Sequence, residues 1–381
     1  MELLILTIEF PPGPGGIGTL SYELAKNLSK SGWNVSVSSP QNFSDNSEIR
    51  AFNNAQTFII QRLNYKGPFV FEAINRFVSA ITLLLQQQSN IIISIGGQAT
   101  WLGVLLALLT NKPLVAIGIG TEFTYGNKLQ QWITRKSFNR ANKVIAISNY
   151  TQKLMKEINI NPSKISVIHC GADGNSFTKN LPVDHLKKKL NLEQSKVILT
   201  VGALSKRKAQ DIVIRAIPKI KRRFPDIKYL VIGNPKLQTE FQKLTYELDV
   251  SDSVIFLGQV PRAELPYFYN LADLFVLVSR RTCTGDVEGF GIVVIEAALC
   301  GIPSIVSRNS GLEETVIDRK TGLIVDQENP EDTAEAIINL LSDDSLRIKM
   351  GNSAYQHAIK YSTWDLKITE YKKFLLPLID F

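Results

Sequence analysis

The stretch DVEGFGIVVIEAALCGIPSI, residues 286–305, is the most informative part of this chain. It places Glu288 and Glu296 eight positions apart, on either side of a Gly-Phe-Gly turn. If a helix begins near Gly291, Glu288 lies in the loop before it and Glu296 projects from its second turn. Eight residues at helical rise span about 12 Å. The first amides of such a helix lack intrahelical partners and carry partial positive charge, which suits a pyrophosphate.

The same stretch resembles the Glu-x7-Glu signature of the retaining family 4 glycosyltransferases, which have the GT-B fold. Flanking segments 278–286 (VSRRTCTGD) and 307–325 (SRNSGLEETVIDRKTGLIV) are similar to the bacterial phosphatidylinositol mannosyltransferase branch. Two glutamates at this spacing are common in surface loops before core helices, so the flanking matches carry the interpretation. The resemblance implies that Glu288 contacts the transferred sugar. The donor-binding residues that it implies in this segment are Gly289, Phe290, Gly291, Ile292, Val293 and Glu296.

Short β-type runs alternate with helical patterns along nearly the whole chain, and the pattern restarts near residue 196. Such alternation predicts parallel, doubly wound sheets, here in two Rossmann-like α/β domains. The resemblance implies the GT-B arrangement, in which the two domains face a central cleft.

The linker is predicted at residues 171–185, GADGNSFTKNLPVDH, which is rich in turn-forming residues. We therefore predict an N-terminal, acceptor-side domain of residues 1–178 and a nucleotide-sugar-binding domain of residues 179–362. The resemblance implies that the last helix, within residues 363–381, crosses back to the N-terminal domain.

Composition indicates a globular protein with a full core, since 44% of the 381 residues are hydrophobic and mean hydropathy is +0.02. Three scattered cysteines favour a reducing cytoplasm over a disulfide framework or a zinc site. The first residues, MELLILTIEFPP, are typical of a first strand rather than a signal peptide. No transmembrane helix is expected, because polar residues interrupt the most apolar region, residues 77–120.

Positive charge is concentrated in the first half of the chain. Residues 1–178 hold 15 Lys+Arg and 9 Asp+Glu, a net charge of +6, whereas the remainder carries +2. Several of these cations fall in the predicted helix 129–143, LQQWITRKSFNRANK, among aromatic residues. Such a helix either contacts an anionic membrane surface or is a solvated helix whose aromatic residues face the core. A nucleic-acid partner is not expected, because no recognition motif accompanies the charge.

The loop PPGPGGIGT, residues 11–19, satisfies the pattern GxGxxG. A dinucleotide-binding interpretation fails because four residues separate the first strand from the first glycine. In addition, the second strand ends in VSSPQNF, without an acidic residue for a ribose. The resemblance implies instead that Gly15, Gly16 and Gly18 approach the donor phosphate and sugar.

The segment VGALSKRKAQD, residues 201–211, corresponds to the phosphate-binding segment of the family. Lys208 matches the family's lysine, which neutralises the leaving diphosphate, and Gly202 belongs to the same segment. The family's arginine is replaced by Ala203, a loss of a charge-assisted hydrogen bond worth about 1.5–3 kcal/mol. Arg207, Lys206, Arg280 and Arg281 are the candidates to replace that arginine.

A second departure lies in VAIGIGTEFTYG, residues 115–126, where Ile119 stands at the place of a histidine that touches the donor sugar in the family. An isoleucine cannot hydrogen-bond a sugar hydroxyl, so the sugar is held differently or activity is reduced. The neighbouring residues that could contact sugar or acceptor are Gly120, Thr121 and Glu122.

The segment 256–276 resembles the family's base pocket, which implies that the backbone from Gly258 to Val260 reads the nucleobase. No Asp-x-Asp pattern is present, and Asp286-Val-Glu288 comes nearest to one. With Lys208 and a helix N-terminus available for the diphosphate, no metal and no other cofactor is expected.

The combined prediction is a retaining, metal-independent glycosyltransferase that moves a hexose from a nucleotide diphosphate sugar to a lipid-linked or cell-surface glycan. Mannose is the preferred sugar, and the enzyme is expected in the cytoplasm or on the inner face of the membrane. A small soluble acceptor is the runner-up. The departures at Ile119 and Ala203 leave one alternative open, a catalytically weakened sugar-nucleotide-binding protein with a regulatory or partner role.

Overall fold

The computed structural model describes residues 1–13, 15–41, 45–64 and 69–378, and the chain divides into two compact units. The first unit is Met1–Cys170 with Trp364–Phe381, and the second is Gly171–Thr363. Each unit is an α/β domain built on one parallel sheet, which confirms the predicted fold class.

The strands are short and mostly buried, as expected for parallel sheets covered on both faces. In chain order they are β1 (Glu2–Thr7), β2 (Asn34–Gln41), β3 (Ile59–Asn64), β4 (Ile91–Ile95), β5 (Leu114–Gly118), β6 (Lys143–Ala146), β7 (Ile165–Val167), β8 (Val197–Val201), β9 (Lys228–Ile232), β10 (Val254–Gly258), β11 (Leu274–Leu277), β12 (Ser304–Ser307) and β13 (Gly322–Val325). Every one of them overlaps a run that the sequence predicted as a strand.

The α-helices connect these strands. They are α1 (Gly16–Lys30), α2 (Asn46–Asn54), α3 (Phe69–Gln86), α4 (Gly97–Thr110), α5 (Lys128–Arg140), α6 (Asn149–Glu157), α7 (Asp184–Lys189), α8 (Gln210–Arg223), α9 (Gln238–Glu247), α10 (Leu265–Leu271), α11 (Ile292–Leu299), α12 (Pro330–Ser342), α13 (Asp344–Tyr361) and α14 (Trp364–Leu375). Helix α2 was missed by the sequence pattern. Its start is marked by Asp45, whose carboxylate accepts hydrogen bonds from the backbone amides of Ser47 and Glu48 at 2.9 and 2.8 Å.

The first sheet has the strand order β3-β2-β1-β4-β5-β6-β7, and the second has β10-β9-β8-β11-β12-β13. All strand pairs are parallel. In both sheets the order reverses beside the first strand of the unit. Open sheets of this kind bind ligands at the carboxyl ends of the strands near such a reversal.

The unit boundaries differ from the predicted ones. The chain passes into the second unit after Cys170, eight residues before the predicted boundary at 178. Residues just beyond Cys170 already bond within the second unit, because the amide of Ala172 donates to the carbonyl of Ser362 at 2.9 Å. The ring of Phe177 lies edge-on to that of Tyr269, with centroids 5.7 Å apart. Helix α7 begins inside the segment predicted as linker.

Helix α14 belongs to the first unit, where it packs against α1. Tyr371 and Leu375 on α14 are fully buried, with 0% of their surface exposed. The C-terminal segment therefore completes the core of the unit in which the chain begins.

Replacing Leu375 by Ala should destabilise the first unit selectively. Removal of a buried leucine side chain typically costs about 2–5 kcal/mol of the free energy of unfolding. The neighbouring Leu376, 36% exposed, supplies a matched control, and its replacement by Ala should cost much less. Hydrogen exchange in urea would measure the effect separately in peptides from β1 and β8. Equal losses in β1 from the two variants would contradict this assignment.

Candidate active site

The helix predicted from the Glu-x7-Glu stretch begins where expected, since Gly291 is the N-cap of α11. Gly291 has φ +101°, and a Cβ there would overlap the side chain of Leu312. A Cβ at Gly311 would overlap the carbonyl of Gly289. The amide of Gly311 also donates to the carbonyl of Glu288 at 2.9 Å. Close backbone packing therefore fixes the loop that carries Glu288.

Two cations hold the carboxylate of Glu288. Its Oε2 lies 2.7 Å from Nζ of Lys208 and also accepts hydrogen bonds from the guanidinium of Arg207 and from the hydroxyl of Ser279, the latter at 3.3 Å. The side chain is only 11% exposed. Burial by itself would raise the pKa of Glu288, but Arg207 and Lys208 outweigh it and lower the pKa to about 2. Glu288 is therefore ionised at neutral pH.

The cations come from the loop between β8 and α8. The Lys208 side chain passes over Gly202, where a Cβ would stand 3.2 Å from Cε of the lysine. Burial lowers the pKa of Lys208, although the nearby Glu288 opposes that change. Arg207 also contacts Oδ2 of Asp286 through Nε at 3.2 Å. Burial would lower its pKa, but Glu288 and Asp286 raise it. The cluster joins two cations to two carboxylates, so a bound diphosphate would compete with the carboxylates for both cations.

Among the candidates to replace the missing arginine, Arg207 is the one placed beside Glu288. Nη2 of Arg280 instead donates to both carboxylate oxygens of Asp211, each at 2.7 Å. Lys206 is exposed. The amide of Arg281 donates to Gln327 at 3.3 Å. The sequence alone left these four positions equivalent.

Glu296 lies on α11, but its carboxylate is already engaged on both oxygens. Oε2 accepts a hydrogen bond from the phenol of Tyr269 at 2.9 Å, and Oε1 lies 3.1 Å from Nη1 of Arg262. The Glu296 side chain is 2% exposed, whereas Arg262 is exposed. Burial, and then Glu296, raise the pKa of Tyr269. A ribose hydroxyl could reach Oε1 if Arg262 turned away, so the predicted ribose contact remains a prediction.

The remaining predicted residues of the second unit lie at the carboxyl edge of its sheet. Gly202 follows β8, Gly258 ends β10, and Val260 lies two residues beyond. The carbonyl of Gly258 accepts a hydrogen bond from the amide of Gly233 after β9, at 2.8 Å. The residues predicted to bind the phosphate, base and sugar of the donor therefore lie along one edge of the second sheet. Phe290 and Gly289 lie in the tight loop before α11, and Ile292 and Val293 are its first two residues.

The predicted residues of the first unit lie in two loops. Gly15 is the N-cap of α1 with φ +145°, and a Cβ there would overlap the carboxylate of Glu9. Gly16 opens α1, and a Cβ at Gly18 would lie 3.4 Å from the amide nitrogen of Phe10. Pro14, within the same loop, lies outside the described residues. These glycines therefore allow close backbone packing between the end of β1 and the start of α1.

Glu122 organises the second of these loops, after β5. Its Oε1 accepts a hydrogen bond from the amide of Ile119 at 2.8 Å. Oε2 is buried and has no hydrogen-bond partner among the described residues. Burial raises the pKa of Glu122 to about 7, although the amides of Ile119 and Gly120 oppose this. Thr121 begins the short 3-10 helix Thr121–Phe123 in this loop. Glu122 therefore acts structurally on the backbone of the segment predicted to face sugar or acceptor.

An open groove of about 850 Å³ lies in the second unit. It is lined mainly by α13 and by the loop before β13. None of its lining residues belongs to the predicted site. Among the described residues, no group of three or more His, Cys, Asp or Glu side chains could hold a metal ion.

Two family models match this chain in succession. Residues 14–175 match "Glycosyltransferase Family 4", and residues 183–357 match "Glycosyl transferases group 1". The first match covers most of the first unit, and the second contains Lys208, Glu288 and Glu296. The chain belongs to the family 4 glycosyltransferases.

Among its relatives is the GDP-mannose-dependent alpha-(1-6)-phosphatidylinositol monomannoside mannosyltransferase of Mycolicibacterium smegmatis. It is 32% identical over 233 residues, which cover 60% of this chain and 61% of the relative. The D-inositol 3-phosphate glycosyltransferase of Corynebacterium urealyticum is 35% identical over 213 residues, 53% of this chain and 49% of that protein. The matched region thus spans less than two thirds of either relative's length.

Solved structures show the same fold over nearly the whole length of this chain. Anabaena HepE, crystallised with UDP and glucose, superposes with a TM-score of 0.85 at 19% identity. The match covers 98% of this chain and 99% of HepE. Together with the two parallel-sheet units, this establishes the GT-B type of fold.

Replacing Glu122 by Gln should make the stability of this protein less dependent on pH. In the folded chain Glu122 keeps its proton up to a pH of about 7, whereas in the unfolded chain it loses the proton near pH 4.5. Wild-type stability therefore falls as pH rises through this window. Residue 122 of the variant does not titrate. The difference in unfolding free energy, variant minus wild type, should therefore increase by about 2 kcal/mol between pH 5 and pH 8.

Urea unfolding at the two pH values would measure this gain. The exposed Glu157 provides the control, because its replacement by Gln should produce no comparable change with pH. A pH-independent difference between wild type and the Glu122→Gln variant would show that Glu122 is not held protonated.

Proposed function

We propose that this protein is a retaining, metal-independent glycosyltransferase that transfers a hexose from a nucleotide diphosphate sugar to a lipid-linked or cell-surface glycan acceptor. The observation that carries the proposal is the buried, ionised Glu288 held by Lys208 and Arg207 directly before the N-terminus of α11. A carboxylate suits the sugar, and two cations with a helix N-terminus suit a diphosphate.

The proposed reaction proceeds on one face of the sugar. The bond between the anomeric carbon and the β-phosphate oxygen breaks, and positive charge develops on the sugar ring while negative charge develops on the diphosphate. Glu288 orients the sugar hydroxyls and stabilises the ring charge, and Lys208 and Arg207 stabilise the leaving diphosphate. The acceptor hydroxyl forms the new bond to the anomeric carbon and gives its proton to the departing phosphate oxygen. The stereochemistry is thereby retained.

GDP-mannose is the proposed donor, because the M. smegmatis relative is named for this donor. UDP-hexoses are the second choice, because HepE was crystallised with UDP and glucose. In this protein the base would lie against the backbone from Gly258 to Val260, and Glu296 would hold the ribose after Arg262 turns away. The glycine loop of residues 15–18 and the Ile119–Glu122 segment are the proposed contacts from the first unit.

A glycolipid acceptor is supported by the name of the same relative and by the net positive charge of the first half of the chain. The C. urealyticum relative is named for inositol 3-phosphate, which makes a small soluble acceptor the second candidate. No helix in the described part of the chain is both long and apolar enough to cross a bilayer. Attachment to the membrane surface is therefore proposed as peripheral.

One observation favours the alternative of a binding protein without turnover. Oε2 of Glu288 is held by two cations, and the arginine position of the family is occupied by Ala203. If the cations remained with Glu288 in the donor complex, nucleotide could bind while the leaving diphosphate stayed poorly stabilised. Turnover measurements separate this alternative from the enzyme.

Replacing Glu288 by Gln should lower kcat for sugar transfer by about 100- to 1000-fold, since a preorganised charge at the developing cation is lost. The assay would follow nucleotide diphosphate release from GDP-mannose and UDP-hexoses with phosphatidylinositol or inositol 3-phosphate as acceptor. The exposed Glu264 in the same unit provides a control, and its replacement by Gln should leave kcat within a few-fold.

Near-normal turnover of the Glu288→Gln variant would remove Glu288 from the mechanism. Nucleotides that raise the melting temperature of the wild type, without transfer or donor hydrolysis, would favour the binding protein. A melting temperature unchanged by any nucleotide or nucleotide sugar would contradict both functions.

Replacing Arg207 by Ala should lower kcat/KM by about 10- to 100-fold, because a charge-assisted hydrogen bond to the leaving group is lost. In that background, Ala203→Arg should restore part of the activity, since residue 203 is where the family carries its arginine. Lys206→Ala is the matched control, because Lys206 is the exposed cation of the same loop. Equal effects of Arg207→Ala and Lys206→Ala on the measured kcat/KM would refute the assignment of Arg207.

A further inference from the structure

Three helices of the first unit lie side by side over its sheet. Helix α3 packs on β2 and β3, α4 packs on β1, β4 and β5, and α5 packs against α4. Helices α3 and α4 also contact each other. Their outer surfaces together are called here the α3–α5 face.

The centre of the α3–α5 face is unusually apolar. Helix α4, GQATWLGVLLALLT, contains no charged residue. Its inner side buries Gly103 and Leu106. Its outer side presents Leu105, Leu108 and Leu109, which are 54%, 53% and 66% exposed. A helix on the surface of a globular protein normally places polar side chains on that side.

The flanking helices continue the apolar surface. On α3, Ile74, Val78 and Leu85 are 52%, 52% and 60% exposed, and their spacing of four and seven places them on one side of the helix. On α5, Leu129 and Trp132 are 64% and 54% exposed.

These exposures also bear on the two interpretations of α5 that the sequence left open. Phe138 is fully buried, whereas Trp132 is exposed. The aromatic residues of α5 therefore divide between the core and the surface. Helix α5 therefore has both a core-facing side and an exposed apolar side. Its exposed apolar residues extend the surface formed by α3 and α4.

Apart from Glu72 in the first turn of α3, the charged residues of α3, α4 and α5 are all positive. Between Glu72 and Glu157 the chain has one acidic residue, Glu122, whose carboxylate is turned onto the backbone of its own loop. The ammonium of Lys136 lies 5.9 Å from the ring of Trp132. The same interval contains nine cations, which are Arg76, Lys112, Lys128, Arg135, Lys136, Arg140, Lys143, Lys153 and Lys156.

We propose that the α3–α5 face docks on the surface of an anionic lipid bilayer. The exposed leucines and Trp132 would enter the boundary between headgroups and acyl chains, and the surrounding lysines and arginines would contact lipid phosphates. A second copy of the chain is the less favourable occupant, because a symmetric contact would bring two strongly basic surfaces together. The proposal names the surface that brings the enzyme to a membrane, and it does not depend on donor, sugar or transfer.

Flotation of the full-length protein with lipid vesicles tests this proposal in the absence of nucleotide sugar. One set of vesicles contains phosphatidylcholine alone, and the other contains phosphatidylcholine with phosphatidylglycerol at a 7:3 ratio. Wild type should bind the anionic vesicles, and the tryptophan emission should shift to shorter wavelength as Trp132 enters the bilayer.

The double variant Leu105→Gln/Leu109→Gln should reduce the partition coefficient at least about tenfold, since two apolar side chains no longer gain from burial. Lys128→Gln/Lys136→Gln should reduce binding to anionic vesicles and weaken its dependence on salt. The matched control is Tyr246→Gln/Ile348→Gln, which alters two exposed apolar residues of the second unit, 82% and 59% exposed. This control should bind as wild type does.

Three results would overturn the proposal. Absence of binding to either set of vesicles would exclude bilayer docking. Equal loss of binding in the α4 variant and the second-unit control would place the contact elsewhere. A wild-type dimer in sedimentation analysis that Leu105→Gln/Leu109→Gln dissociates, without vesicle binding, would assign the face to a second copy. Sugar transfer to a soluble acceptor can be assayed in the same variants, so failure of docking remains distinguishable from failure of the proposed reaction.

Discussion

The carboxylate of Glu288, held between Lys208 and Arg207, is the interaction on which the second unit's site depends. A buried carboxylate would be costly alone, and two buried cations would be costlier still. Together they tie the loop after β8 to the loop before α11. In the proposed reaction, the cations that hold Glu288 would also be available to a diphosphate. In a donor complex, the diphosphate would thus replace the carboxylate of Glu288 as the partner of Lys208 and Arg207.

Backbone packing makes this electrostatic arrangement possible. Gly291 and Gly311 allow the Glu288 loop to press against the 3-10 helix Gly311–Thr315, and Gly202 leaves room for the Lys208 side chain. A Cβ would overlap Leu312 at Gly291 and the Gly289 carbonyl at Gly311, and one at Gly202 would crowd Lys208. The position of a reacting group to within a fraction of an ångström is what electrostatic catalysis requires. Packing and charge therefore act on the same few loops.

The two units differ in physical character. The second holds a largely buried cluster of paired charges at the carboxyl edge of its sheet. The first carries most of the net positive charge and leaves the apolar outer side of α4 in contact with water. These features suit different partners, an anionic small molecule for the second unit and an anionic surface for the first. The buried Glu122 stands apart from both, because it holds a loop rather than facing solvent.

The strands of both sheets and the start of α11 at Gly291 could be predicted from the sequence, because they depend on local patterns of apolar residues and glycine. The resemblance to the family also pointed to Lys208 and Glu288 as candidate site residues, and their roles stay a prediction. The folded chain was needed to show that Arg207 pairs with Glu288, that Glu296 accepts a hydrogen bond from Tyr269, and that the first unit ends at Cys170. Those contacts join residues far apart in the chain. The exposure of the α4 leucines could not be predicted either, because the sequence does not show whether an apolar residue faces the core or water.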